Sequence, residues 1–232
     1  MLQVIALSKR FGDHLALVDI GFSVQAGEVL GLIGPNGAGK TTLLETIAGV
    51  LPADTGRILW RGTVLPLAQR RDALFYVPDI VQPYRDQYVE RVVGFFRNVY
   101  GCSDGQTAEA IAVLGLAPVL GKRVGALSKG YARRLLLAIG LLTPHPLLMM
   151  DEPFDGFDLR QTREMMRVLR DVAAGGRSLL LSIHQLNHAE HVCVRFVLLA
   201  GGRVRGVGTR DELRERAARP SGSLEDIFLA LT

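Results

Sequence analysis

Residues 2–7, 18–24, 28–33 and 57–60 are short apolar or alternating runs separated by turn residues such as Asp54, Thr55 and Gly56. This pattern predicts strands, arranged as an antiparallel sheet wrapped around the run at 28–33. The period then changes. From Tyr88, apolar side chains recur at Val92, Phe95, Phe96 and Val99, while Glu90, Arg91, Arg97 and Asn98 occupy the other side. That spacing predicts a helix whose aromatic stripe packs in the core rather than lining a cofactor site. A second helix is expected over 129–142, stopped by Pro144 and Pro146. There follow a buried strand at 147–150, a helix over 159–174 closed by Gly175 and Gly176, and a second buried strand at 178–183. A hairpin around Gly201 and Gly202, a flexible joint at 220–223 and a small apolar helix at 224–231 complete the chain. Strands alternating with helices predict an α/β fold with a parallel main sheet.

Between the strand at 28–33 and a helix beginning near Thr41 lies Gly34-Pro35-Asn36-Gly37-Ala38-Gly39-Lys40-Thr41, a complete phosphate-binding loop. Glycines at 34, 37 and 39 let successive backbone N–H groups curl around an anion where a Cβ would block the approach. Lys40 then reaches the β- and γ-phosphates, the Thr41 hydroxyl suits Mg²⁺, and the helix N-terminus faces the phosphates. With 26 glycines, four lysines and 18 serines plus threonines in 232 residues, a chance match to the loop pattern has odds of roughly four in a thousand, before the flanking strand and helix are demanded.

Composition narrows the field without naming a function. A chain of 232 residues with 48% hydrophobic content suits one compact domain. No segment approaches the ~18 uninterrupted apolar residues of a membrane span, and no secretion signal opens the chain, so a cytosolic location is expected. Cys102 and Cys193 show no metal or redox spacing. The net charge of +4 is small and dispersed, and no nucleic-acid partner is expected. Arginines outnumber lysines 23 to four, so Lys40 and Lys129 depart from the chain's habit.

Further chemistry follows the second helix. Asp151 and Glu152 stand at the carboxyl end of the strand at 147–150, where open α/β sheets place their ligands. Side chains alternate there, so Asp151 can join a Mg²⁺ shell while Glu152 faces the γ-phosphate and polarises the attacking water. Leu127-Ser128-Lys129-Gly130-Tyr131 opens the helix at 129, where the Ser128 hydroxyl and the following N–H groups offer a second anion site. His184 ends the strand at 178–183 and could donate to phosphate. His184, His188 and His191 could also hold a metal with Cys193 if they shared one helix, but His184 at a strand end argues against that.

Together these motifs resemble, in order and over essentially the whole chain, the ATP-binding cassette ATPases, the nucleotide-binding subunits of ABC transporters. The resemblance implies a P-loop NTPase core of RecA-like type with an antiparallel β subdomain and a helical subdomain at about 79–135, all in one domain. It identifies 34–42, through Thr42, as the phosphate loop, 127–131 as the signature segment, Gly156-Phe157-Asp158 as the aspartate loop, His184 as the switch histidine and Phe11 as the adenine-stacking aromatic. The apolar tail at 224–231 is similar to those of bacterial exporter ATPases. Three departures stand out: Asp79 occupies the position of a glutamine that usually touches Mg²⁺ and the attacking water, Lys129 and Tyr131 replace a signature glycine and glutamine, and Phe11 stands where tyrosine is commoner, although stacking needs only a ring. The implied mechanism closes two such subunits, identical or not, head to tail over two ATP molecules, each held between one chain's loop and the other's Ser128 and Gly130. The implied partner is an integral membrane permease, with the ATPase peripheral on the cytoplasmic face of the membrane. A soluble relative acting on a ribosome or nucleic acid is the alternative; a phosphate-loop kinase or GTPase leaves Ser128, Gly130, Asp158 and His184 unexplained.

Overall fold

The computed structural model describes residues 1–79 and 83–232. Its strands are β1 (Leu2–Phe11), β2 (His14–Val24), β3 (Val29–Ile33), β4 (Thr55–Trp60), β5 (Thr63–Val64), β6 (Leu74–Val77), β7 (Leu147–Asp151), β8 (Ser178–Ile183), β9 (Arg195–Ala200) and β10 (Arg203–Gly208). Its α-helices are α1 (Lys40–Ala48), α2 (Arg70–Ala73), α3 (Val89–Tyr100), α4 (Asp104–Val113), α5 (Lys129–Leu142), α6 (Leu159–Ala174), α7 (Leu186–Val192), α8 (Arg210–Arg216) and α9 (Leu224–Leu231). No helix among the described residues is long and apolar enough to cross a membrane.

Among the described residues the strands form two sheets. An antiparallel sheet has the order β2-β1-β4-β5, and the main sheet has the order β10-β9-β3-β8-β7-β6. In the main sheet β3 runs parallel to β8 and β9, and β7 runs parallel to β6 and β8; β10 alone turns back beside β9. Parallel strands need crossovers, and helices supply them, so both faces of this sheet are covered. Alternate residues of each strand enter different cores. Val29, Ile33, Leu148, Met150, Leu179 and Leu181 pack with α3, α5 and α6. Leu30, Leu32, Leu147, Met149 and Leu180 pack with α1 and the antiparallel sheet. That two-sided burial explains why β3, β7 and β8 read as unbroken apolar runs.

One packing expectation is overturned in part: of the expected stripe, Val92 is buried and Phe96 packs against the core, but Phe95 and Val99 do not. In α3 the buried residues are Val89, Val92 and Val93, whereas Phe95 and Val99 are 61% and 56% exposed. The buried face is turned toward Val89 and Val93 and away from Phe95 and Val99, because α5 covers the side that Val89, Val92, Val93 and Phe96 share. Of the stretch expected as a helical lobe, residues 80–82 lie outside the described residues.

The start of α1 depends on two glycines. A Cβ on Gly34 would collide with the carbonyl oxygen of Leu199 at the end of β9, and Gly39, the N-cap of α1, has φ 101°. The loop is thus wedged against the next strand. Gly34→Ala is expected to lower the unfolding free energy by roughly 2 kcal/mol through overpacking, read as a fall in Tm. An unchanged Tm would show that β9 yields.

Candidate functional site

Parallel strands end on the same edge of a sheet, so residues far apart in sequence converge there. The phosphate loop leaves β3, Asp151 and Glu152 end β7, His184 follows β8, and Asp79 follows β6. The loop, the two carboxylates and Asp79 meet at a cleft of about 470 Å³ lined by Phe11, Asn36, Gly37, Gly39, Lys40, Thr41, Thr42, Asp79, Asp151 and Glu152, with His14, Ala16, Glu45, Tyr76 and Pro78. His184 is absent from the described lining of this cleft and shares an adjoining pocket with Glu152. Its size and its mix of backbone, charged and aromatic groups suit a nucleotide. Pro35 and Ala38 belong to the same loop, Pro35 as an acceptor for Lys40 and Ala38 buried behind it.

Lys40 is buried, and its ammonium curls back onto the loop, donating to the carbonyls of Gly34 at 2.8 Å and Pro35 at 3.3 Å. Burial pushes its pKa down, opposed by the charges of Glu152, whose Oε1 is 3.8 Å away, and Asp151. A desolvated cation satisfied only by carbonyls and one carboxylate gains strongly from phosphate oxygens.

Asp151 and Glu152 diverge as strand geometry requires. Asp151 points at α1, where its Oδ2 accepts from the Thr41 hydroxyl at 2.6 Å, and its other oxygen is buried without a partner among the described residues. Glu152 points the other way. Its Oε2 lies 2.6 Å from Nδ1 of His184, and its backbone holds φ 49°, a left-handed conformation that costs a non-glycine residue about 1–3 kcal/mol. The bond from its N–H to the Ser182 carbonyl, at 3.1 Å, ties this strained turn to β8. Burial raises the Glu152 pKa, opposed by the hydrogen bond and charge of His184 and by Lys40.

Phe11 sits at the tip of the β1–β2 hairpin opposite His14, 47% exposed at the cleft, with Nζ of Lys9 5.5 Å from its ring centroid. The structure does not bring every expected residue here. Ser128, Gly130 and Asp158 are absent from the described lining of the cleft. Ser128 caps α5, accepting from the Tyr131 N–H at 3.4 Å, and Asp158 caps α6 in a reciprocal box with Gln161. These two helix starts adjoin each other: a Cβ on Gly130 would lie 3.2 Å from the Gly156 carbonyl, and Nζ of Lys129 is 2.6 Å from Asp155. Asp79 lines the cleft, with its carboxylate bonded to Arg133 of α5.

Three residues of the site carry no recognisable signal of their own in the sequence. Glu45 reaches the cleft one turn into α1, its pKa raised by burial and by Asp151. Tyr76 contributes a buried hydroxyl without a partner among the described residues, its pKa raised by burial and then by Asp151. Arg133 is one of three cations in α5, with Lys129 and Arg134, and nothing in the sequence marks it as the buried one.

Residues 17–155, more than half of the chain, match the ABC transporter family. The chain belongs to that family, as one of its ATP-binding cassette ATPases. The Nod factor export ATP-binding protein I of Burkholderia lata is 37% identical over 204 residues, covering 85% of this chain and 67% of that protein. A probable multidrug ABC transporter ATP-binding protein of Escherichia coli (strain K12) is 30% identical over the whole chain, which spans 41% of that relative's length. A solved structure of an ATP binding subunit of an ABC transporter superposes with a TM-score of 0.90 at 30% identity, covering 100% of this chain and 99% of that one. An ATP-binding cassette solved as a dimer in a post-hydrolysis state with ADP and Pi shares the fold, with a TM-score of 0.79 at 20% identity over 90% of this chain and 98% of that one.

Asp158 and His184 of this cassette lie beyond the family match, so their placement rests on the capping box and on the contact with Glu152. Lys40→Ala is expected to abolish measurable ATP binding by calorimetry, because it removes the cleft's buried cation. An unchanged affinity would contradict the role given to the loop.

Proposed function

We propose that this cassette hydrolyses ATP at the seam of a head-to-tail pair of cassettes and thereby drives export through a membrane permease. The observation that carries the reading is the Lys40–Glu152–His184 constellation, with Glu152 half-buried between a cation and an imidazole at the edge of the phosphate loop. Phosphate oxygens would draw the Lys40 ammonium from the loop carbonyls, and the loop amides and the α1 N-terminus would complete the cradle. Glu152 then accepts a hydrogen bond from water and aims its oxygen at the γ-phosphorus, while His184 holds the carboxylate and donates toward the departing phosphate. Phe11 stacks on the base from the hairpin tip.

Mg²⁺ fits the same site. The unpartnered buried oxygen of Asp151, beside the Thr41 hydroxyl, is the kind of hard donor such an ion takes. When bound, the ion neutralises charge on the β- and γ-phosphates. Ser128, Gly130 and Asp158, set apart from the cleft, are the groups a second cassette would present to the nucleotide. Closure over ATP would then be lost when hydrolysis removes the shared anion.

Export is supported by the names of the relatives, multidrug and Nod factor export. Permease docking is supported by an apolar cleft of about 530 Å³ lined by Phe75, Tyr76, Phe95, Phe96, Leu136 and Ile139 among others. Tyr76 and Pro78 line both clefts, so a permease segment seated in one abuts the nucleotide in the other. A permease partner would hold the protein at the cytoplasmic face of the membrane.

Glu152→Gln should keep ATP bound and run as a dimer in gel filtration with ATP and Mg²⁺. A monomer at saturating nucleotide would contradict the seam. Because burial raises the Glu152 pKa above the ordinary 4.5, its ionised form is lost sooner as pH falls. The acid limb of kcat should therefore lie above pH 4.5, and a limb at or below that value would remove Glu152 as the base.

A further inference from the structure

Arg133 is 4% exposed and stands one turn along α5 from Lys129. A guanidinium stays charged at any working pH and needs several acceptors when it is buried. Three are present: the Asp79 carboxylate, the Asp79 carbonyl at 3.3 Å and the Asp151 carbonyl at 3.4 Å. The last belongs to the final residue of β7, whose side chain faces Thr41. One side chain therefore joins the helix that begins at Ser128, the exit of β6, and the strand end that carries the paired carboxylates. Asp155 adds a fourth element. Its carboxyl is held below the usual range first by its hydrogen bond to Lys129, and the Arg133 charge lowers it further.

We propose that Asp79 and Arg133 form a clasp that fixes the Ser128 end of α5 relative to the phosphate cleft, so that Asp79 is a positioning residue and not a metal ligand. The planar fork of Arg133 suits this role, because it spans a carboxylate and two carbonyls at fixed angles where an ammonium is a single point. Pro78, beside Asp79, lines both clefts, so movement at the apolar cleft bears directly on the clasp. Loss of the Asp79 carboxylate leaves the buried Arg133 charge without its counter-ion, and loss of Arg133 removes the link itself; either frees the helix start. The consequence for closure rests on the head-to-tail reading above.

The test uses Asp79→Asn, Arg133→Lys and the double variant in the Glu152→Gln background. Each single change should raise the ATP concentration needed for half-dimerisation about tenfold, and the double should be no worse than the worse single. In Arg133→Lys, whose side chain is outside the described lining of the cleft, ATP affinity at low protein concentration should stay within about twofold, and in Asp79→Asn the Mg²⁺ midpoint of ATP binding should shift by less than about tenfold, a separation that general loosening of the fold would not give. Additive losses, or full activity of closure in Arg133→Lys, would overturn the clasp. So would an Mg²⁺ midpoint raised about tenfold or more by Asp79→Asn alone, the signature of a lost metal ligand. If the Glu152→Gln parent stays monomeric, the proposed function fails. The clasp is then decided by the Mg²⁺ midpoint and by thermal unfolding, where a double variant no less stable than the worse single supports it and additive losses reject it.

Discussion

A buried ammonium at the end of a buried strand organises this molecule. Lys40 is desolvated, folded onto the carbonyls of its own loop and within Coulombic reach of Glu152 and Asp151. In a low-dielectric cleft an anion that displaces those carbonyls gains far more than it would in water. The arrangement is stable only because β3 is anchored on both sides, between β8 and β9, and because Gly34 lets the chain turn against Leu199 without a Cβ in the way.

The parallel sheet converts that local device into a site. Parallel pairing puts the ends of β3, β6, β7 and β8 on one edge, so Thr41, Asp79, Asp151, Glu152 and His184 come together across more than 140 residues of sequence. Divergence at the end of β7 then separates two tasks, with Asp151 aimed at Thr41 and Glu152 at His184. The strained backbone of Glu152 belongs to this separation, since the bond to Ser182 holds the turn in place while its side chain reaches across to β8.

What could be read from the sequence was local. The buried strand at 178–183 and the helices at 129–142, 159–174 and 224–231 have the bounds found in the structure. Their signals are adjacent residues: prolines after α5, glycines after α6, and unbroken apolar runs for a sheet covered on both faces. The phosphate loop and the Asp151–Glu152 pair were legible for the same reason. Long-range facts were hidden. Whether Phe95 or Val93 faces the core depends on where α5 lies, and Arg133 acquires meaning only through Asp79, 54 positions earlier. The helix α4 carries a local signal, the capping box of Ser103 and Gln106, but its apolar periodicity is too weak to predict a helix.

The central claim is that the loop carbonyls now holding Lys40 occupy the place of nucleotide phosphates. A crystal structure of the protein with ATP and Mg²⁺ tests it directly. The account predicts that Nζ of Lys40 leaves the Gly34 and Pro35 carbonyls for the β- and γ-phosphate oxygens, with Phe11 against the base. Nucleotide bound elsewhere, with Lys40 still on those carbonyls, would contradict it.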